Sequence, residues 1–326
     1  MEKLKYKALT FDDVLLLPKY SDFLPSEASI ESKLTKNITL KTPLISAAMD
    51  TVTESKMAIS LAETGGIGII HKNNSIEEQA AEVKAVKKYE SGIVRDPVTI
   101  NSKQSIRELK QLTNELSISG MPVVDDGKLE GIVTSRDFRY AENMDSEVSS
   151  IMTPFEKLIT VEEGFSQEEV MKLMYKNRIE KILVLDTNSN LSGLVTMKDI
   201  EKSAQHPNAT KDSSGRLQVG AALGTSEDTI ERAQALFESG VDVFVVDSAH
   251  GHSKNVIETI KMLKEKFKDV DIIGGNIATA EAATELVRAG ADAVKVGMGP
   301  GSICTTRIIA GIGVPQISAI LEIKKA

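Results

Sequence analysis

The sequence contains a single cysteine among its 326 residues. One cysteine excludes an intrachain disulfide framework and any metal site built from several cysteines. No apolar run approaches the roughly 18 residues that a membrane helix requires, and the N-terminal stretch lacks the apolar segment of a secretory signal. These absences predict a cytoplasmic protein in a reducing environment, with no membrane partner.

Positive charge is also scarce, because 39 lysines and arginines face 47 aspartates and glutamates, for a net charge of −8. A broad binding surface for nucleic acid is therefore not expected, although loops and helix N-termini can still bind small anions. Apolar residues make up 41% of the chain, which is enough for a sizeable core. The length predicts two domains.

Outside the middle of the chain, short apolar runs alternate with amphipathic stretches, the pattern of a parallel sheet with crossover helices. Helices are predicted over 253–267 and 279–289. The predicted strands cover residues 44–49, 66–70, 217–223, 241–247, 271–277 and 293–298.

Polar residues stand where these strands end: Asp50, His71, Asp247, Asn276 and the loop over 297–304. In an α/β barrel the carboxyl ends of the strands carry the active site. The sequence therefore predicts the α/β class with a (β/α)8, TIM-type barrel. An open, doubly wound sheet is the alternative.

The middle of the chain, residues 92–205, repeats itself. The segment GIVTSRDF at 131–138 is echoed by GLVTMKDI at 193–200, and each copy predicts an extended stretch, a helix, two strands and a closing helix. We interpret residues 92–205 as an insert of two halves, about 92–148 and 149–205. Residues 1–91 and 206–326 then form the barrel domain.

The segment with the clearest chemistry is GMGPGSIC at 297–304. Three glycines and a proline predict a tight loop whose N–H groups can bind a phosphate and whose carbonyls can bind a cation. Cys304 follows directly, near a predicted helix N-terminus, where the thiolate is favoured. This arrangement suits nucleophilic attack on a phosphorylated substrate. The alternative is a small buried apolar cysteine.

Three weaker candidates are compatible with structural roles. His71 could meet a ligand or serve as a hydrogen-bonded structural residue, and Met49 could shape a base pocket or simply pack. His250 and His252 could bind a metal, but two histidines make a poor site, so a loop role beside Asp247 is favoured.

Several long motifs resemble the IMP dehydrogenase / GMP reductase family across nearly the whole chain. They are GMGPGSICTTR at 297–307, TFDDVLLLP at 10–18, LISAAMDTVTE at 44–54, VVDSAHGHS at 245–253 and GIGVPQISAI at 311–320. The insert resembles a tandem CBS (Bateman) module. The runs at 11–25 and 302–320 are interpreted as favouring the dehydrogenase over the reductase, and so is the presence of the insert.

The resemblance implies a reaction in which Cys304 attacks C2 of inosine monophosphate, hydride passes to NAD, and water releases xanthosine monophosphate. Thr306 would act beside Cys304. Substrate-binding residues would be Ser302, Met49 and Asn276, and cofactor-binding residues would be Asp247, Ser248, Gly297, Met298 and Gly299. Carbonyls of Gly299, Gly301 and Cys304 would hold half of a potassium site.

The resemblance also implies purine nucleotides as regulators, with ribose bound by Thr134, Asp137, Thr196 and Asp199. The alternative is that these residues only cap helices. A homotetramer is expected from the family.

The two outer segments are shorter than the about 250 residues that such a barrel needs, so we expect an incomplete barrel with impaired turnover. The remaining strands, an Arg–Tyr flap and the other half of the cation site would then be missing. Two other functions stay open: GMP reduction, and non-catalytic nucleotide sensing by the repeated insert.

Overall fold

The computed structural model describes residues 7–89, 94–95, 97–116, 118–141, 143–197, 200 and 205–326. Its contacts divide the chain into two compact units, one of Met1–Tyr89 with Asn208–Ala326 and one of Glu90–Pro207. Within the described ranges, no helix is long and apolar enough to cross a membrane.

The first unit is built on a parallel sheet with helices between its strands. In chain order its elements are β1 (Ser32–Lys33), β2 (Thr39–Leu40), α1 (Ser55–Glu63), β3 (Gly68–Ile70), α2 (Ile76–Lys88), β11 (Val219–Leu223), α6 (Thr229–Glu238), β12 (Val243–Asp247), α7 (Lys254–Lys266), β13 (Asp271–Ile277), α8 (Ala280–Arg288), β14 (Ala293–Val296) and α9 (Gln316–Lys325). The strand order is β14-β13-β12-β11-β3, all parallel. This architecture confirms the predicted α/β class.

The strands form a sheet because both of their faces are apolar, as expected of buried parallel strands. In β12, Phe244 and Val246 pack into the layer that contains helix residues such as Ile260. The alternate residues Val243 and Val245 pack into a second cluster on the other face. The sheet is therefore covered on both sides, and its polar chemistry is confined to the strand ends.

The predicted strand over 44–49 is much shorter in the structure. Only Ile45 pairs, through a parallel bridge to Ile67. Local turns replace the rest, since the N–H of Leu44 donates to Thr42 O at 2.7 Å and that of Met49 donates to Ala47 O at 2.9 Å. The first of the six predicted strands is thus an extended segment with a single bridge.

A buried ion cluster lies at the amino ends of β11 and β12, the sheet edge opposite the loops that follow the strands. Lys87 Nζ donates to Asp212 Oδ2 at 3.0 Å, to Asp242 Oδ2 at 2.8 Å and to Leu217 O at 2.9 Å. Burial raises the pKa of Asp242 despite the facing ammonium. For Asp212, burial also opposes ionisation, but Lys87 and backbone N–H groups outweigh it and lower the pKa.

The second unit contains two sheets. Its elements are β4 (Val94–Arg95), α3 (Ile106–Glu115), β5 (Gly120–Asp125), β6 (Lys128–Thr134), α4 (Ser135–Phe138), β7 (Thr153–Pro154), β8 (Thr160–Glu162), α5 (Gln167–Asn177), β9 (Lys181–Leu185) and β10 (Leu191–Thr196). The sheet orders are β4-β10-β9-β8 and β5-β6-β7. Each repeat places an extended segment parallel to the first strand of a hairpin, through the bridge between Ile100 and Val123 in one and through β8 and β9 in the other.

Candidate active site

The loop that follows β14, residues 297–304, is called the cysteine loop here. Gly297 anchors its start by donating to Ile277 O at 2.8 Å. Gly299 has a φ of +62°, and a Cβ there would lie 2.4 Å from the carbonyl oxygen of Ile312. Only glycine has both the conformational freedom and the small size that this position needs.

A second segment, residues 311–316, packs against the cysteine loop and is called the strap. Val314 donates its N–H to Met298 O at 2.9 Å. A Cβ on Gly313 would lie 2.8 Å from the Cα of Gly299, so the two backbones touch. Gln316, the first residue of α9, donates from Nε2 to Val296 O at 2.9 Å. The cysteine loop is therefore held between the end of the sheet and the strap.

Cys304 lies at the end of this loop and is partly exposed. The backbone N–H of Arg307 favours the thiolate and is the main reason why the pKa of the Cys304 thiol lies below its ordinary value. Desolvation opposes this, but the N–H groups of Thr306 and Gly299 and the Thr306 hydroxyl add to the effect of Arg307 and outweigh it. A single π-helical turn, Thr306–Ala310, begins just after it. A partly exposed thiol stabilised as the thiolate fits a nucleophile better than a buried apolar residue.

A cavity of about 590 Å³ opens beside Cys304. Eight of the residues that line it were singled out from the sequence: Asp247, Ser248, Asn276, Gly297, Met298, Gly299, Cys304 and Thr306. The sequence-based interpretation missed Ala249, Lys295, Val296, Pro300 and Gln316. The fold thus brings the ends of β12, β13 and β14 together around one space, as the predicted strand ends require.

Lys295 is the charged residue among the five that the sequence-based interpretation missed. Its Nζ lies 2.8 Å from Asp247 Oδ1, and Lys72 Nζ donates to the Asp247 carbonyl at 2.8 Å. The two lysines fix the side chain and the main chain of Asp247 at the cavity wall. A lysine inside the apolar strand AVKV was the available signal, because a charge there must reach a partner.

Ser302, Met49 and Gly301 do not line the cavity. Ser302 lies on an exposed turn, and Met49 is 54% exposed in the turn that replaces the predicted first strand. The carbonyl of Gly301 accepts the N–H of Cys304 at 3.1 Å, and that of Cys304 accepts the N–H of Ile308 at 3.0 Å. Each of these carbonyls keeps one lone pair, and potassium binding stays a prediction.

The histidines have structural partners. His71 is 4% exposed, and its Nδ1 accepts the N–H of Asn73 at 3.1 Å. Its Nε2 is buried without a hydrogen bond, 3.8 Å from Glu54 Oε1, so a ligand role for His71 stays a prediction. His252 Nε2 lies 3.0 Å from Glu285 Oε2, and the ring of His250 lies 6.5 Å from that of His252. Among the described residues, no three His, Cys, Asp or Glu side chains are grouped as metal ligands. The loop role predicted for this histidine pair fits these contacts.

In the second unit, Thr134 and Asp137 bond to each other. Asp137 Oδ2 accepts the N–H of Thr134 at 2.6 Å and its hydroxyl at 2.8 Å, which caps α4 as in the structural alternative. Both residues also line a cavity of about 260 Å³ together with Glu180 from the second repeat. Thr196 ends β10, and Asp199 lies outside the described residues.

The fold and site define the class: an α/β protein in which a cysteine with a lowered thiol pKa lies in a glycine-rich loop at the end of a parallel strand. A sequence model described as "IMP dehydrogenase / GMP reductase domain" matches residues 8–326, and the chain belongs to this family. Inosine-5'-monophosphate dehydrogenases of Aquifex aeolicus and Escherichia coli K12 are 53% and 51% identical, and each match covers 100% of this chain. The chain spans about two thirds of their length, 67% in both cases.

The similar solved structures include GMP reductase from Trypanosoma brucei in complex with guanosine 5'-triphosphate. It is 41% identical, with a TM-score of 0.86, and the match covers 99% of this chain and 79% of the other. The match includes the two-repeat insert. The insert therefore does not separate dehydrogenase from reductase, and the interpretation that it favours the dehydrogenase was wrong.

Proposed function

We propose that the protein acts as an IMP dehydrogenase, which oxidises inosine monophosphate to xanthosine monophosphate with NAD. The observation that carries the proposal is the position of Cys304, in a glycine-rich loop at a cavity formed by three strand ends. The lowered pKa of its thiol supports the same role. The names of the relatives at 51% to 53% identity support the dehydrogenase direction.

In the proposed reaction the Cys304 thiolate forms a bond to C2 of the hypoxanthine ring. The hydride on C2 then leaves with its electron pair, and NAD supplies the acceptor for it. The remaining thioimidate is cleaved by water, which adds oxygen at C2 and returns the thiol. The N–H donors around the sulfur stabilise the thiolate before attack and after release.

The binding roles follow the family and the cavity. Asp247, Ser248 and the backbone of 297–299 would hold the cofactor, while Asn276, Ser302 and Met49 would hold inosine monophosphate. The buried Asn276 Oδ1 has no hydrogen-bond partner in the protein, as expected of a ligand-binding group. Thr306 would keep Cys304 oriented, and potassium would bind the carbonyls of Gly299, Gly301 and Cys304.

The test is NADH formation, followed by absorbance, from inosine monophosphate, NAD and potassium. Cysteine-dependent NADH, absent in Cys304→Ala, would support the proposal. One equivalent of NADH, with a substrate adduct on Cys304 by mass spectrometry, would show hydride transfer without hydrolysis. NADH formation that persists in Cys304→Ala would refute the role of the thiol.

The T. brucei structure makes GMP reduction the second candidate. The same assay, supplied with guanosine monophosphate and reduced NADP, separates the two. Cysteine-dependent consumption of reduced NADP that exceeds NADH formation from inosine monophosphate would favour the reductase.

For the insert, the cavity of about 260 Å³ supports purine nucleotides as ligands. Thr134 and Asp137, with Thr196 and Asp199 of the second repeat, would bind ribose hydroxyls. Calorimetric titration with ATP and GTP tests this, and Asp137→Ala should weaken binding. Unchanged binding would leave Asp137 only the helix-capping role. Assembly as a homotetramer is proposed from the family and is testable by sedimentation.

A further inference from the structure

The cavity beside Cys304 contains two buried oxygen atoms that accept no hydrogen bond. They are Asn276 Oδ1 and Gln316 Oε1, and both residues line the cavity. Buried polar atoms are almost always paired, so an orphan pair at one site calls for an explanation. Each such atom costs about 1–3 kcal/mol unless a partner is supplied.

The two amide groups are held in the same way. Asn276 Nδ2 donates to Gly297 O at 3.0 Å, and Gln316 Nε2 donates to Val296 O at 2.9 Å. These consecutive carbonyls accept only, so each amide must present its nitrogen to the backbone. Both oxygens are thereby fixed away from β14, and exchanging oxygen and nitrogen would set two acceptors face to face.

Gln316 Oε1 lies directly at the start of the cysteine loop. A Cβ on Gly297 would be 3.0 Å from this oxygen, so glycine leaves the approach to the oxygen open. Lys295, the strongest donor in the cavity wall, is engaged by Asp247. A ligand bound in the cavity would supply the donor that the two oxygens lack.

A primary carboxamide carries two N–H groups on one nitrogen and so matches a pair of acceptors. The hypoxanthine lactam offers a single N–H. Resting on the proposed function, we propose that Gln316 Oε1 recognises the carboxamide NH2 of the nicotinamide. Asn276, proposed above as a contact of inosine monophosphate, would lie where the two ligands meet, and its Oδ1 would accept the second N–H of the same NH2 group. Gln316 is thus a specificity-determining residue for the cofactor.

The test compares binding of NAD with binding of its 3-acetylpyridine analogue, in which a methyl group replaces the NH2. Dissociation constants are measured by calorimetry for the wild type, for Gln316→Met and for Gln234→Met. Methionine keeps the length of the side chain but removes its carbonyl. Gln234 bonds within its own helix, to Glu238 at 2.9 Å, and serves as the matched control.

The wild type and Gln234→Met should prefer NAD over the analogue. Gln316→Met should reduce this preference by about 2- to 12-fold, the value of one neutral hydrogen bond, mainly by weakening NAD. The rate of Cys304 alkylation by iodoacetamide checks that the cysteine loop is intact in each variant.

Equal weakening of both ligands in Gln316→Met would mean that Gln316 only supports the cysteine loop, and would overturn the inference. So would a wild type with no preference between the ligands. Failure of the wild type to bind NAD at all would instead refute the proposed function, and this inference with it.

Discussion

Replacing Lys87 by methionine removes the cation from the buried cluster at the base of the sheet. The Lys87 side chain is 4% exposed, and those of Asp212 and Asp242 are 12% and 13% exposed. Methionine preserves the apolar stem but leaves both carboxylates without their shared ammonium. Asp212 keeps Arg216 at 2.9 Å, so Asp242 bears most of the loss.

Breaking a buried ion pair from one side costs about 3–5 kcal/mol, because the remaining charge is left desolvated. For a unit of this size each kcal/mol lowers Tm by about 2–4 °C, which gives a fall of about 6 to 20 °C. Burial raises the pKa of Asp242 while Lys87 lowers it, so removing Lys87 raises that pKa further. A group with a raised folded pKa favours the folded state at low pH and loses this stability as pH rises through the folded pKa. Protonation therefore removes the unpaired charge of the variant at low pH, and its deficit should be smaller at pH 5 than at pH 8.

Urea unfolding followed by circular dichroism measures the loss, and hydrogen exchange in β11 assigns it to the first unit. Lys88→Met, on the exposed side of the same helix, is the matched control and should change stability by under about 0.5 kcal/mol. Adding Asp242→Asn to Lys87→Met should restore part of the stability. A Lys87→Met protein within about 1 kcal/mol of the control would refute the cluster as a buried charge network.

Three further predictions concern the active-site face. The lowered pKa of Cys304 predicts that its alkylation rate levels off at a lower pH than the alkylation rate of free cysteine. The same pH–rate profile for both thiols would contradict stabilisation of the thiolate by the neighbouring N–H groups. Gly313→Ala should change the alkylation rate of Cys304 at neutral pH by about tenfold or more, because its Cβ meets backbone. Gly224→Ala should leave the alkylation rate unchanged, because a Cβ there makes only ordinary van der Waals contacts. Equal effects of the two substitutions would contradict the role of the strap in supporting the cysteine loop. Lys295→Met should lower the free energy of unfolding in urea by under about 1 kcal/mol, because the Lys295–Asp247 ion pair is partly exposed. A larger loss would mean that the ion pair is shielded from solvent.

Continuous apolar runs made most of the sheet predictable. The predicted strand over 271–277 coincides with β13, and the predicted helix over 253–267 differs from α7 by one residue at each end. The prediction of a strand over 44–49 was wrong because the apolar residues of this segment are largely exposed and pair at one position only. Periodicity alone does not report which neighbour a run will find.

The position of Cys304 and most of the cavity wall were predictable because they follow strand ends in sequence. Gln316 and the buried cluster around Lys87 were not. Gln316 reaches the cavity only because the strap folds back on the cysteine loop, and Lys87 meets Asp212 across 125 residues of sequence. Such contacts depend on tertiary packing, and no local pattern marks them.

The strap supports the cysteine loop through main-chain contacts, with Gly299 lying on Gly313 and Val314 bonded to Met298 O. The surroundings of the thiol thus depend in part on Gly313 and Val314, which carry no reactive group and lie outside the cavity lining. One methyl group added at 313 would lie 2.8 Å from the Cα of Gly299, so the strap or the cysteine loop would have to shift. The thiol can therefore be disturbed from Gly313 without changing any side chain of the cavity wall.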